Sequence, residues 1–496
     1  MLLALTLAAC SSAAGDDFPS ASPTAPAAVD LPAAATLPPP ETAAVEPDSG
    51  PTPPATEPTD STAALPLPHY TLTATLSYSQ HLLQVDERIR YTNRSPDSLP
   101  DLRLMVDPLY YPGVFRLVSI AWEGGQPVED YTIESGQIQV PLADPLTPGE
   151  RLDLSISYEL HLPSPVPSEQ VRPIPFGYTA RQTNLVDWYP FVPPYQPGQG
   201  WLAHQAGFFG EHLVYDLADF DVSLRFSDPS PELVVAASAP AEQDGDWRRY
   251  RHTAARNFVW SASHEYQVFT SVVGDTTVMS YAFSFHTTAS EAVLQTTAET
   301  LTLLDELYTP YPRRLLSVVE ADFLDGMEYD GLYFLSNGFY NLYQGSPGEY
   351  LIAIAAHETA HQWFYALVGN DQALEPWLDE ALCTYQERIF YERLHPQSLD
   401  WWWAYRVNYY DPRGWVNRSI YISQGYRAYR DAVYLNGAVF LEELRNQIGD
   451  QAFFDFLRDY VLQNQGLIAT GERLFEILGQ HTQEDLSPLL SRFFSP

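Results

Sequence analysis

The 496-residue chain contains no lysine. Its 26 basic residues are all arginine and face 63 acidic ones, for a net charge of −37. Without lysine there is no P-loop ammonium and no Schiff-base amine, so both chemistries are excluded. So acidic a chain is also repelled by nucleic acid and by anionic membrane surfaces. Cysteine is nearly missing: Cys10 and Cys383 are too few and too far apart for a disulfide framework. Cys383 reads as a small buried residue on the back of a helix rather than as a metal ligand. No run of eighteen apolar residues occurs, so no segment reads as a membrane-spanning helix. Aromatics, by contrast, make up 14% of the chain, with 32 Tyr, and the length allows two or more domains with full cores.

Residues 1–9 are apolar, and Leu7-Ala8-Ala9-Cys10 has the small-residue pattern of a cleavage site set just before a cysteine. The segment resembles a bacterial lipoprotein signal, which implies a lipidated Cys10 as the first mature residue; the charged start of a signal peptide is absent. Residues 10–67 then run through Ala, Pro, Ser and Thr with no basic residue. Such a stretch buries too little apolar surface to offset its ordering entropy and reads as a semi-extended tether. An exported protein, anchored by Cys10 at the outer face of a bacterial membrane, is the expectation.

From residue 68 to about 268 the pattern has period two. Tyr70, Leu72, Ala74 and Leu76 alternate with threonines, and Leu152, Leu154, Ile156, Tyr158 and Leu160 alternate with polar residues. This predicts an antiparallel, sandwich-like β domain buried on one face. Residues 171–210, rich in Pro, Tyr and Trp, form a long irregular excursion of the kind that lends residues to a cleft. Residues 269–496 are mixed and then mainly helical, with helical periodicity over Glu291–Tyr308 and a strand at Leu315–Glu320. The fold class is therefore α+β with at least two domains.

The chemistry concentrates in His357-Glu358-Thr359-Ala360-His361. Apolar spacing over Leu351–Val368 predicts a helix with one buried face. Residues four apart share a helix face, so both imidazoles point the same way and can grip one ion. Zinc accepts imidazole nitrogen, and Glu358 is placed to act as a base on a water made acidic by the metal. Glu380, nineteen residues past His361, supplies a third ligand from a second helix and leaves one position open. In Asp400–Tyr410 the six aromatic residues read as helix packing rather than as a substrate wall.

His357-Glu-Thr-Ala-His-Gln-Trp-Phe followed by Trp377-Leu-Asp-Glu-Ala resembles the gluzincin zinc aminopeptidases, the family that includes alanyl aminopeptidase. The resemblance implies one zinc ion on His357, His361 and Glu380, with Glu358 as base, in a thermolysin-like domain that follows the β domain. Gly326-Met327-Glu328 is similar to a strand segment whose Glu binds the free amine of the substrate, with Asp325 and Tyr329 departing from the family pattern. Tyr434, followed by Asn436-Gly437-Ala438, matches a tyrosine that donates to the oxyanion, with Asn436 replacing a Lys. The β domain of the family also supplies a Gln or Glu; Gln182 and Asp187 are counterparts by region, and no local motif selects either. The resemblance also implies a short form that lacks a C-terminal helical cap. Peptides are thus the expected substrates. A zinc metallopeptidase acting as an aminopeptidase is the expectation, with two alternatives: an endopeptidase with an open cleft, and a surface-anchored binding lipoprotein with a non-catalytic metal site.

Overall fold

Period-two alternation from residue 69 folds as it dictates. In the computed structural model, which describes residues 65–164, 174–228, 233–422 and 424–495, His69–Ser77 is a strand with Tyr70, Leu72, Ala74 and Leu76 buried and the threonines between them turned outward. Cys10, the segment 1–9 and the tether as far as residue 64 lie outside the described residues. The strand sits inside a seven-stranded sheet, ordered Ala241–Asp244, Trp247–Ala255, Ala218–Phe226, His69–Ser77, Leu82–Thr92, Arg151–His161, Phe115–Trp122. One pairing departs from the antiparallel expectation: His69–Ser77 runs parallel to Ala218–Phe226, with Tyr70 opposite Phe220. A parallel pair needs a crossover connection, and the chain between these strands supplies it while contributing strands to two further sheets. These are a three-stranded sheet around Gln137–Leu146 and a four-stranded sheet that includes Gln182–Leu185 and Trp260–Ser263. Side chains of all three sheets meet in one hydrophobic core.

Tyr266–Val273 opens a different sheet, so this strand, which a boundary at 268 would cut, belongs wholly to the second region. Its five strands are ordered Tyr266–Val273, Thr276–Phe283, Leu315–Ala321, Leu332–Ser336, Gly326–Tyr329. The inner three are parallel, and Gly326–Tyr329 closes the sheet as an antiparallel edge. Helix Thr287–Leu307 packs on this sheet and against helix Tyr350–Ala360. The rest is helical, with Trp377–Leu394, Asn436–Ile448, Asp450–Asn464 and Gly471–His481 sharing a second core. Among the described residues no helix is long and apolar enough to cross a membrane.

Two local departures position the site. The helix predicted to reach Val368 ends at Ala360 and is buried all round rather than on one face. Beyond it Tyr365 adopts φ 154°, and Ala366 N–H returns to the His361 carbonyl (2.9 Å), so the chain folds back beneath His361. Tyr426–Arg430, Asp431–Leu435 and Asn436–Ile448 run on as one helix, and the middle segment is a π turn carrying Tyr434. Such turns widen a helix locally and re-aim one side chain.

Buried Arg256 ties the two regions together. It donates to the carbonyls of Tyr215, Ala366 and Leu467 at 2.8–3.2 Å. The β region, the turn behind His361 and the C-terminal helices are thus held by one guanidinium.

Candidate active site

His357 and His361 lie one turn apart on the first metal helix, and Glu380 lies in the first turn of the second, Trp377–Leu394. His357 Nε2 is 3.1 Å from His361 Nε2 and 3.1 Å from Glu380 Oε2, and His361 Nε2 is 3.6 Å from the same oxygen. A tetrahedral zinc with bonds of about 2.0–2.1 Å requires donor separations of about 3.3–3.4 Å. The trio fits that requirement.

The far side of each ring explains its orientation. His361 Nδ1 lies 3.1 Å from the Phe364 carbonyl, which can only accept, so Nδ1 carries the proton and Nε2 keeps its lone pair. The turn that follows Ala360 brings this carbonyl behind the ring. His357 Nδ1 lies 2.9 Å from Glu387 Oε1, and Glu387 is itself gripped by Arg406 (2.8 and 2.9 Å) and by Trp402 Nε1 (2.8 Å). A ligand histidine bound behind by a carboxylate is both oriented and made a stronger donor. Burial pushes the Glu387 carboxyl up, but Arg406 and His357 outweigh it and hold the group below its usual range.

Electrostatics point to a cation as well. Glu328, Glu358, Asp379 and Glu380 are all buried around the two histidines, and among the described residues none of the four hydrogen-bonds to an arginine. Desolvation is the largest influence on each. It drives Glu358, Asp379 and Glu328 upward, whereas the hydrogen bonds of His357 and His361 bring Glu380 down to about 2. His357 is pushed up to about 9, because its bonds to Glu380 and Glu387 outweigh the cost of burying a cation. Metal binding therefore competes with protons for these groups. A second trio, Glu328, His361 and Asp379, also lies within 4.8 Å. Its two carboxylates are already tied together by the Gln372 amide at 2.9 Å each, so the His357, His361 and Glu380 set is the one open to an ion.

The remaining expected residues divide. Gly326 and Glu328 line the cleft with Glu358, Ile354 and Tyr434, in about 600 Å³ of empty space. Glycine at 326 has a steric cause: a Cβ there would lie 2.1 Å from Glu358 Oε1. Met327 is turned the other way. Alternation along the strand buries its side chain in the core of the β region, so it packs and does not touch the cleft. Tyr434 hydroxyl donates to Glu380 Oε1 at 2.5 Å, and its ring lies parallel to that of His357. Gly437 brings it there: it packs so closely on Ala381 that a Cβ would meet the Ala381 methyl at 2.4 Å.

Gln182 is not in the cleft. Its amide is consumed by Tyr266 hydroxyl (2.6 Å), Asn184, the Glu320 carbonyl and Asp322 N–H (2.6 Å). Asp187 is buried against Tyr215 hydroxyl. Instead the excursion reaches the cleft at its far end, through Gly210 and Glu211. Glu211, Glu387, Gln372, Tyr426 and Arg430 are the site residues that sequence reading missed. Only Glu387 had a legible signal, since seven residues past Glu380 is again the same helix face. Cys383 is fully buried with Sγ 3.8 Å from the Phe364 carbonyl, and burial pushes its thiol up, so it packs beside His361 as a neutral group.

Residues 292–493 match the model of the peptidase family M1 domain. No curated protein matches the sequence. Solved structures do: the M1 zinc metallopeptidase of Deinococcus radiodurans is 20% identical, with a TM-score of 0.60 over 88% of this chain and 96% of that one. A variant of that enzyme bound to a Tyr-Ser-Ala substrate matches with the same figures. A two-domain M1 zinc metallopeptidase variant bound to L-arginine is 18% identical, at a TM-score of 0.60 over 87% of this chain and 95% of its own. At such identities the solved structures establish the fold, and the family model covers the segment that carries the trio, Glu358 and Tyr434. Residues 292–493 thus carry the match to the peptidase family M1 domain, and the chain shares the fold of M1 zinc metallopeptidases.

Proposed function

We propose that the chain is an aminopeptidase, releasing residues from the free N-terminus of peptides. One observation carries the reading: Glu328, a buried carboxylate, lines the same cleft as Glu358, with Gln372 as its hydrogen-bond partner. A protonated α-amine is the group that would pair with it there, and the pair would fix the chain end in register with the metal. The bound Tyr-Ser-Ala in the Deinococcus relative supports a peptide as the ligand.

Zinc, held by His357, His361 and Glu380, supplies Lewis acidity, which makes water more acidic and polarises a carbonyl. Glu358 is the base. Its Oε2 is buried with no protein partner, and desolvation makes it a stronger acceptor than an ordinary carboxylate. It takes the proton of the attacking water and returns it to the leaving amine. Tyr434 hydroxyl turns from Glu380 to the carbonyl oxygen and donates a hydrogen bond as negative charge develops. Glu387 and the Phe364 carbonyl keep both imidazoles aimed throughout.

The test compares peptides with free and acetylated N-termini on the zinc-loaded protein. Only the free form should be cleaved, and Glu328→Gln should raise KM and narrow the difference. Equal cleavage of both forms would make the protein an endopeptidase. We infer also, from the 1–10 segment, export and lipid anchoring at Cys10; Cys10→Ser should move the protein out of the membrane fraction.

A further inference from the structure

We propose that an aromatic groove beside the first metal helix is a downstream subsite, which takes an apolar side chain about three residues past the scissile bond. The groove is lined by Phe339, Leu342, Tyr350, Trp401, Tyr405 and Tyr409, around about 900 Å³ of empty space. Leu342, Tyr405 and Tyr409 are 72%, 56% and 74% exposed, an unusual concentration of large apolar surface at one spot.

Continuity with the cleft identifies its occupant. Tyr350, Ile354, His357, Glu358 and His361 form one stripe of the helix, at spacings of four, three, one and three. Ile354, His357 and Glu358 line the cleft, and Tyr350 lines the groove. A second bridge runs across the surface. Arg430 of the cleft stacks on Tyr410 with its guanidinium carbon 4.0 Å from the ring centre, and Tyr410 hydroxyl is 3.2 Å from Tyr350 hydroxyl.

Direction follows from the edge strand. Glu328 lies beside His361, whereas Gly326 lies against Glu358 and Ile354. A peptide whose amine rests on Glu328 therefore leaves the metal toward the start of the helix, where Tyr350 stands. From His357 to Tyr350 is about 10 Å along the axis, which an extended chain covers in about three residues. This direction rests on the aminopeptidase reading; the groove and its distance from the metal do not.

The experiment uses zinc-loaded protein and free-N-terminus hexapeptides that differ only at the third residue after the cleaved bond, together with a dipeptide. Phe at that place should raise kcat/KM about tenfold over Ala, chiefly through KM. Leu342→Glu and Tyr409→Ser, each replacing an exposed side chain, should remove that preference and leave dipeptide turnover unchanged. Equal rates for Phe, Ala and Asp in the unaltered protein would overturn the proposal. So would a preference that survives in both variants, or a groove that proves to join two copies, with Leu342→Glu changing the sedimenting mass and not the preference. Cleavage of N-acetylated hexapeptides with the preference intact would support the groove and remove the aminopeptidase reading alone.

Discussion

Glu328 and Asp330 stand two residues apart, both buried, and their surroundings treat them in opposite ways. Asp330 is met from every side: Arg313 grips it with two nitrogens (2.7 and 2.9 Å), Arg256 N–H donates at 2.9 Å, and His252 lies 3.4 Å away. Burial alone would raise its carboxyl, but the Arg313 charge and these bonds overcome it and hold the group well below the usual carboxylate range. Arg313 also donates to the carbonyls of Thr253 and Ala254, so the pair rivets the β region to the catalytic sheet. Glu328 receives one amide, and it shares its neighbourhood with three more carboxyl groups. A complete ion pair of this kind is structural. An incomplete cluster waits for charge from outside, such as a metal dication.

The comparison breaks most sharply at Glu358. Glu358→Gln keeps the shape and removes the base, so kcat should fall by about 10²–10⁴-fold. Zinc content, measured on the purified variant, should stay at one per chain. The fold should be unaffected, because Glu358 Oε2 has no protein partner to lose.

At Asp330 the expectation is reversed. Asp330→Asn should cost about 3–5 kcal/mol of stability, since it strands Arg313 in a largely buried site. The hydrolytic step itself should be spared in whatever fraction stays folded. The sign of the pH dependence follows from the lowered carboxyl. A group depressed on folding stabilises fully above its unfolded value of about 4, and that stabilisation drains away as pH falls through the folded value. In denaturant titrations of chelated protein, the gap between the two proteins should be constant near neutrality and close below about pH 4. A gap that widened on acidification would mean that Asp330 is not held as an anion.

The clustering of His357, His361 and Glu380 beside Glu358 was legible because it depends on one rule, the four-residue repeat of a helix, and on a fixed spacing to Glu380. What escaped depends on contacts far apart in the chain. The parallel pairing of His69–Ser77 with Ala218–Phe226 has no local signature, and neither does the Gln372 amide between Glu328 and Asp379. Met327 was misplaced because matching a segment residue by residue ignores that a strand turns alternate side chains away. Helix propensity carried the first metal helix on to Val368, yet the chain turns after Ala360 and brings a carbonyl behind the ring of His361. Aromatic packing was the right reading for most of Asp400–Tyr410, but Trp402 also spends its indole N–H on Glu387.

That indole gives the finest test of how the metal centre is held. Glu387→Gln removes the charge behind His357 and should weaken zinc binding about 10–100-fold in competition with a chelator. It also leaves Arg406 without its anion, so part of any loss is structural. Trp402→Phe separates the two contributions, since it keeps Glu387, Arg406 and most of the buried surface while deleting one 2.8 Å hydrogen bond. If Glu387 acts by aiming and polarising His357, Trp402→Phe should lower zinc affinity by a few-fold at most and leave kcat of the loaded enzyme unchanged. If the carboxylate merely fills space behind the ring, zinc affinity should follow thermal stability in both variants, and Glu387→Gln should show no loss beyond it.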